Sequence, residues 1–142
     1  MSDHVPTPYI LDVDVLTEIS RGDADLIGLV QDYDRAGQPL VISALAATGA
    51  LLDAPGEDAE ALLSGLSGFE HVQIAALDGV EQANLLANMI SRTGLNPWRA
   101  HVASLADMAA CPIITLDRSQ WEQHAGALDD PLYFIVIADP DQ

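Results

Sequence analysis

Short apolar runs alternating with amphipathic stretches constrain this chain more than any other feature. Tyr9-Ile10-Leu11-Asp12-Val13-Asp14-Val15, Pro39-Leu40-Val41-Ile42, His71-Val72-Gln73-Ile74-Ala75, Pro112-Ile113-Ile114-Thr115-Leu116-Asp117 and Tyr133-Phe134-Ile135-Val136-Ile137 each have the length and content of a strand. Helical patterns lie between them. Over residues 24–36, Leu26, Leu29, Val30 and Tyr33 recur at spacings of three and four, opposite Asp25, Gln31, Asp32 and Asp34, and Gly37 ends the run. Ser43 is a suitable cap for the Ala- and Leu-rich helix that follows, which Pro55-Gly56 breaks. Glu57 opens another helix, with Leu62, Leu63 and Leu66 on one side and Gly65 and Gly68 bracketing its end. A long helix is expected over 79–93, closed by Gly94, and a further one over 98–110 with Val102, Leu105, Ala106 and Ala109 as its buried stripe. A short helix from Ser119 precedes the last strand. Strands too apolar to face water, alternating with helices, predict βαβ units: an α/β fold with a mainly parallel sheet and helices on both faces.

Residues 9–137 read as one domain, preceded by a flexible segment 1–8 that Pro6 and Pro8 keep out of regular pairing and followed by a solvated tail, 138–142. No apolar run approaches the roughly 18 residues of a membrane span. The start of the chain, MSDHVPTPY, lacks the pattern of a secretory signal, and the lone Cys111 rules out an internal disulfide. A cytoplasmic protein is the expectation. The charge excludes more: 22 acidic residues against five cations, all arginine, give a net charge of −17. Such a surface repels phosphates at long range, so binding DNA or RNA nonspecifically through a basic face is ruled out, and a stable protein partner should be basic.

In an open parallel sheet, ligands bind beyond the carboxyl ends of the strands. Asp12 and Asp14 on the first strand, and Asp117 after the fourth, occupy such ends. As residues i and i+2 of a strand, Asp12 and Asp14 are expected to share a face. If the two strands are neighbours, three carboxylates converge, an arrangement that calls for a cation such as Mg²⁺ or Mn²⁺. Each aspartate taken singly also reads as an ordinary cap of a turn or helix. Other chemistry is weaker. His4, His71, His101 and His124 have no zinc-site spacing, no serine sits in a nucleophile elbow, and Gly65-Leu66-Ser67-Gly68 lacks the lysine of a phosphate loop. His101 and Cys111 read as structural, and Trp98 and Trp121 as packing residues.

Three segments together resemble the PIN domain family. Leu11-Asp12-Val13-Asp14-Val15-Leu16 is similar to its opening strand, and Pro39–Leu45 sits at its second strand and following helix. Residues 100–106 with Ala110-Cys111-Pro112-Ile113-Ile114-Thr115-Leu116-Asp117 resemble its closing block. The resemblance spans residues 9–137. It implies a three-layer α/β/α sandwich, Mg²⁺- or Mn²⁺-dependent cleavage of single-stranded RNA, a homodimer, and a toxin-type role beside an antitoxin-like partner. Asp12 and Asp117 match the first and fourth family acids, and Thr115 matches a threonine near the metal site. The glutamate expected on the second helix falls at about Thr48, and the third acid is replaced by Arg99. Asp14 can restore one carboxylate, whereas a guanidinium at Arg99 can pair with Asp12, Asp14 or Asp117 and neutralise the cluster. The expectation is therefore a catalytically weak or inactive protein that acts by protein binding, with metal weakly held or absent. The alternative is an active endoribonuclease using Asp12, Asp14 and Asp117.

Overall fold

The computed structural model describes residues 6–125, 128 and 131–137, without the side chains of Gln123 and Ala125. Its strands are β1 (Tyr9–Leu11), β2 (Leu40–Ser43), β3 (Val72–Ala75), β4 (Ile113–Thr115) and β5 (Phe134–Val136). All pair in parallel, in the order β3-β2-β1-β4-β5. The helices are α1 (Val13–Ser20), α2 (Ala24–Arg35), α3 (Ala44–Asp53), α4 (Glu57–Ser67), α5 (Gly79–Thr93), α6 (Pro97–Ala109) and α7 (Ser119–Ala125). The crossovers from β1 to β3 step one way across the sheet, and the chain then returns to lay β4 on the other side of β1. With right-handed crossovers this reversal places helices on both faces, the expected α/β/α sandwich. It also puts the switch in strand order between β1 and β4, where such sheets open a crevice.

Apolar burial explains the layers. Ile10, Leu11, Leu40, Ile42, Ile113 and Ile114 are at most 1% exposed, so the central strands are covered on both faces. Leu16 and Ile19 of α1, Leu26 and Val30 of α2, and Ala100, Val102 and Ala103 of α6 supply the cover. The turn chemistry is also as the residues foretell. Asp23 caps α2 through Asp25 N–H and Leu26 N–H, the Ser43 hydroxyl caps α3 at Ala46 N–H, and Gly94 ends α5 in the left-handed region at φ 74°. Ala110 ends α6 at φ 54°, a conformation in which a side chain carries strain. The sheet ends in two borders, β3 and β5, where Ile74 and Val136 are about half exposed.

Two expectations need correction. The first strand does not run from Tyr9 to Val15: β1 stops at Leu11, and Asp12 turns the chain directly into α1. An aspartate that accepts a hydrogen bond from Val13 N–H at 2.7 Å nucleates a helix start, and this local bond outweighs the strand preference of the valines that follow. The buried side of α6 also differs. Ala109 is exposed and Leu105 half-buried, whereas every residue from Ala100 to Ser104 is buried, because α6 packs against both α3 and α5 as well as the sheet. Residues 1–5 and 138–142, expected to be a flexible start and a solvated tail, lie outside the described residues; Pro6, Thr7 and Pro8 belong to no helix or strand.

Helix α3 meets α6 closely enough to demand a glycine. A Cβ built on Gly49 would lie 2.7 Å from Cγ of Trp98, the stem of a ring that cannot move aside alone. Gly49→Ala should therefore destabilise the protein by about 1–3 kcal/mol, as overpacking does, read as a lower urea midpoint together with altered Trp98 fluorescence; an unchanged midpoint would show that α3 and α6 can separate freely.

Candidate functional site

Asp12 and Thr115 meet at the carboxyl ends of β1 and β4. Asp12 has no exposed surface and is the N-cap of α1, so its side chain is held at the positive end of that helix. Its Oδ1 accepts from Val13 N–H at 2.7 Å. Its Oδ2 accepts from the Thr115 hydroxyl at 2.8 Å and from the Trp121 indole N–H at 2.7 Å. Arg99, third residue of α6, sends its guanidinium to the same carboxylate, with Nε 3.7 Å from Oδ1. The Arg99 side chain is only 15% exposed, its Nε is buried without a hydrogen-bond partner among the described residues, and its Cζ lies 5.9 Å from the centroid of the Trp121 ring. Asn96 caps α6 through Arg99 N–H at 2.9 Å, and Pro97 fits the first turn, so local sequence fixes where the arginine leaves the helix.

Asp14 is the second residue of α1, not a strand neighbour of Asp12 on one face. Its carboxylate nevertheless reaches the same threonine. Oδ2 lies 3.0 Å from Thr115 Oγ1 and accepts from Leu116 N–H at 3.0 Å and Asp117 N–H at 3.3 Å, while Oδ1 accepts from Val15 N–H at 2.7 Å. One hydroxyl hydrogen cannot serve both carboxylates at once. Burial and the neighbouring Asp12 charge together push the Asp14 carboxyl up to about 6, against the opposing pull of its hydrogen-bond donors.

Asp117 turns away. It is exposed, two residues beyond β4, and its Oδ1 accepts from the hydroxyl and the N–H of Ser119, at 3.0 Å for the latter. Those bonds hold its carboxyl below the usual range, with a small contribution from the Arg99 charge. Only its backbone N–H joins the Asp14 cluster, so the expected convergence of three carboxylate side chains is replaced by a pair. Thr48 is exposed and its hydroxyl donates to Ala44 C=O on its own helix. Its neighbour Gly49, beneath Trp98, faces the site instead.

A cleft of about 450 Å³ opens beside this centre, lined by Asp14, Glu18, Asp53, Leu52, Trp98 and Leu116 among others. Asp12 is sealed beneath it. Arg21 bridges Glu18 at 2.6 Å and Asp53 at 3.5 Å on the rim. Sequence reasoning missed Trp121 as part of the site. The signal was its place four residues after Asp117, but a packing role and a donor role look alike in sequence. His101, read as structural, is buried with its Nδ1 2.6 Å from the Ser43 hydroxyl, while His71 contacts Asp34 and His124 contacts Thr93 C=O. His4 lies outside the described residues.

A hard divalent ion takes about six oxygen ligands with free lone pairs. Here every carboxylate oxygen of Asp12 and Asp14 accepts at least one protein hydrogen and Asp12 Oδ2 accepts two, and among the described residues no three acidic, histidine or cysteine side chains gather as a metal-holding group. The residues present thus fit such an ion poorly, offering few free lone pairs.

The five-stranded parallel sheet, its switch point between β1 and β4 and the buried aspartate there define a PIN-like α/β/α fold. Solved structures with this architecture include VapBC2 from Rickettsia felis bound to a DNA fragment from their promoter (TM-score 0.61, 12% identity, 91% of this chain and 98% of that chain covered). A toxin–antitoxin complex from Klebsiella pneumoniae matches at TM-score 0.57 and 15% identity, over 80% of this chain and 89% of that one. DNA-bound VapBC from Salmonella typhimurium matches at 0.57 and 13%, over 92% and 98%. No protein-family sequence model matches the chain, and no curated protein matches it in sequence.

The raised Asp14 carboxyl has a signed consequence for stability. The folded protein holds that proton more tightly than the unfolded chain, so the contribution is fully present below about pH 4 and is lost as pH rises through about 6. Urea unfolding between pH 4 and 7 should show this fall, on the order of 2 kcal/mol, superimposed on the other titrations; in Asp14→Asn the fall should shrink, and an identical pH profile in the variant would refute the assignment.

Proposed function

We propose that this chain is a PIN-like protein of the toxin–antitoxin type that acts by binding a protein partner, with an acid centre neutralised from within rather than by a divalent ion. One observation carries the reading: the Arg99 guanidinium lies 3.7 Å from a fully buried Asp12 whose oxygens are otherwise taken by hydrogen-bond donors. Hydrolysis assisted by two metals needs carboxylates open to both ions and to the attacking water. A buried aspartate facing a permanent cation offers neither, so catalysis is weak or absent. With Thr48 and Arg99 standing where the family places two acids, Asp14 and the outward-facing Asp117 are the carboxylates left near Asp12, while Glu18 and Asp53 lie on the wall of the cleft.

The partner is basic. A net charge of −17 and a cleft flanked by Asp14, Glu18 and Asp53 favour a cationic, partly apolar segment that can also cover Leu52, which is 67% exposed. The solved toxin–antitoxin complex from Klebsiella pneumoniae and the DNA-bound VapBC complexes fit an antitoxin-like partner. Contact with DNA then falls to that partner, because the acidic surface of this chain opposes phosphates. A homodimer is expected in addition, on the family resemblance. The second reading, a Mg²⁺- or Mn²⁺-dependent endoribonuclease using Asp12, Asp14 and Asp117, is favoured by one fact: Asp14 lines the open cleft.

Mn²⁺ calorimetry separates the two. The wild-type protein should give no binding heat at micromolar concentrations and no cleavage of single-stranded RNA, while Arg99→Ala should lose about 3 kcal/mol of stability because Asp12 is left buried without its cation. Micromolar binding that disappears in Asp12→Ala, or an Arg99→Ala variant as stable as the wild type, would overturn the neutralised centre in favour of the enzyme.

A further inference from the structure

Arg99 is the looser half of what surrounds Asp12. Its Nε is 3.7 Å from Oδ1, beyond hydrogen-bond range, whereas the two donors on Oδ2 are at 2.7 and 2.8 Å. A carboxylate oxygen has two lone pairs. On Oδ2 one is taken by the Thr115 hydroxyl and the other by the Trp121 indole N–H. The threonine hydroxyl can rotate toward Asp14, 3.0 Å away, and release its lone pair. The indole cannot. Trp121 has no exposed surface, its ring lies 5.5 Å from that of Phe134 in β5, and the Arg99 guanidinium sits 5.9 Å from it. A buried N–H that left its acceptor would find no replacement, so this donor stays aimed at Asp12.

We infer that Trp121 is a specificity-determining residue of the acid centre: its indole N–H holds a lone pair of Asp12 Oδ2 that the rotatable Thr115 hydroxyl cannot keep occupied alone, and so weakens divalent-ion binding at this carboxylate independently of Arg99. This rests on the reading of a centre that does not take such an ion, and it adds a second, separable cause. Arg99 repels a cation by charge, and Trp121 withholds the ligand. The two act on different oxygens, so undoing the first leaves the second in place. Phenylalanine at the same position would keep an aromatic ring in the site without offering the donor, leaving only a small cavity.

Mn²⁺ titration by calorimetry is the test, on the wild-type protein, Arg99→Asp, Trp121→Phe and the double variant, each checked for folding by circular dichroism. Arg99→Asp alone should bind Mn²⁺ weakly, and adding Trp121→Phe should tighten binding by about tenfold or more, the scale on which partners of ligands tune metal affinity. Equal affinities in Arg99→Asp and the double variant, or no binding in either, would overturn the role of Trp121. Binding by the wild-type protein itself would instead sink the reading of a closed centre. A measurement on the unaltered protein guards against a double variant that fails to fold. Of the two indole N–H signals in a ¹⁵N spectrum, that of Trp121 should lie downfield of that of Trp98 and exchange with solvent far more slowly. Equal exchange of the two indoles would refute the bond on which the inference stands.

Discussion

The carboxyl side chain of Asp12, buried where the sheet reverses its strand order, is the constraint around which the rest is arranged. A lone carboxylate in such a place costs several kcal/mol unless it is paired and hydrogen-bonded. Four parts of the fold meet that demand: the first N–H of α1, the hydroxyl at the end of β4, the indole of α7 and the guanidinium of α6. These elements lie as much as 109 residues apart in the chain. The order β3-β2-β1-β4-β5 alone would bring β1 beside β4, but the shared carboxylate also ties α6 and α7 to that junction. Charge satisfaction and topology thus specify the same packing, which is the consistency expected of a sequence that folds to one state.

Much of the architecture was legible beforehand because it rests on local chemistry. Gly94 marks the end of α5, Ser43 the start of α3, and Pro55-Gly56 the break before α4, each through a backbone requirement that a single residue reveals. The parallel sheet followed from short apolar strands alternating with helices. What failed was the boundary at Asp12. Val13 and Val15 favour a strand by type, but a capping aspartate competes for the same segment, and the tertiary bonds to Thr115 and Trp121 decide in favour of the cap. The extent of burial on α6 was underestimated for a related reason. A stripe read from periodicity assumes one covered face, whereas this helix lies against the sheet and two other helices.

The site was partly visible. Asp12, Asp14, Thr115 and Arg99 do approach one another, and their spacing along the chain together with the family resemblance drew attention to them. Asp117 and Thr48 face elsewhere, since a side chain's direction after a strand end or on a helix depends on loop geometry that sequence alone does not fix. Trp121 was read as packing, and it does pack; its second task, donating to a carboxylate, is invisible without the partner's position. Gly49 is similar. Its absent side chain is needed only because Trp98 from another helix lies across it.

The two outer borders of the sheet have a consequence for handling the protein in solution. β3 and β5 each leave one row of backbone donors and acceptors unmatched within the sheet, beside half-exposed Ile74 and Val136. No lysine stands guard at either rim, the usual defence against strand-to-strand stacking. Mutual repulsion among highly anionic molecules takes over that duty. It weakens as the solution is acidified toward the isoelectric point of about 4.1 that the composition implies, so contact between these borders is then opposed by less charge.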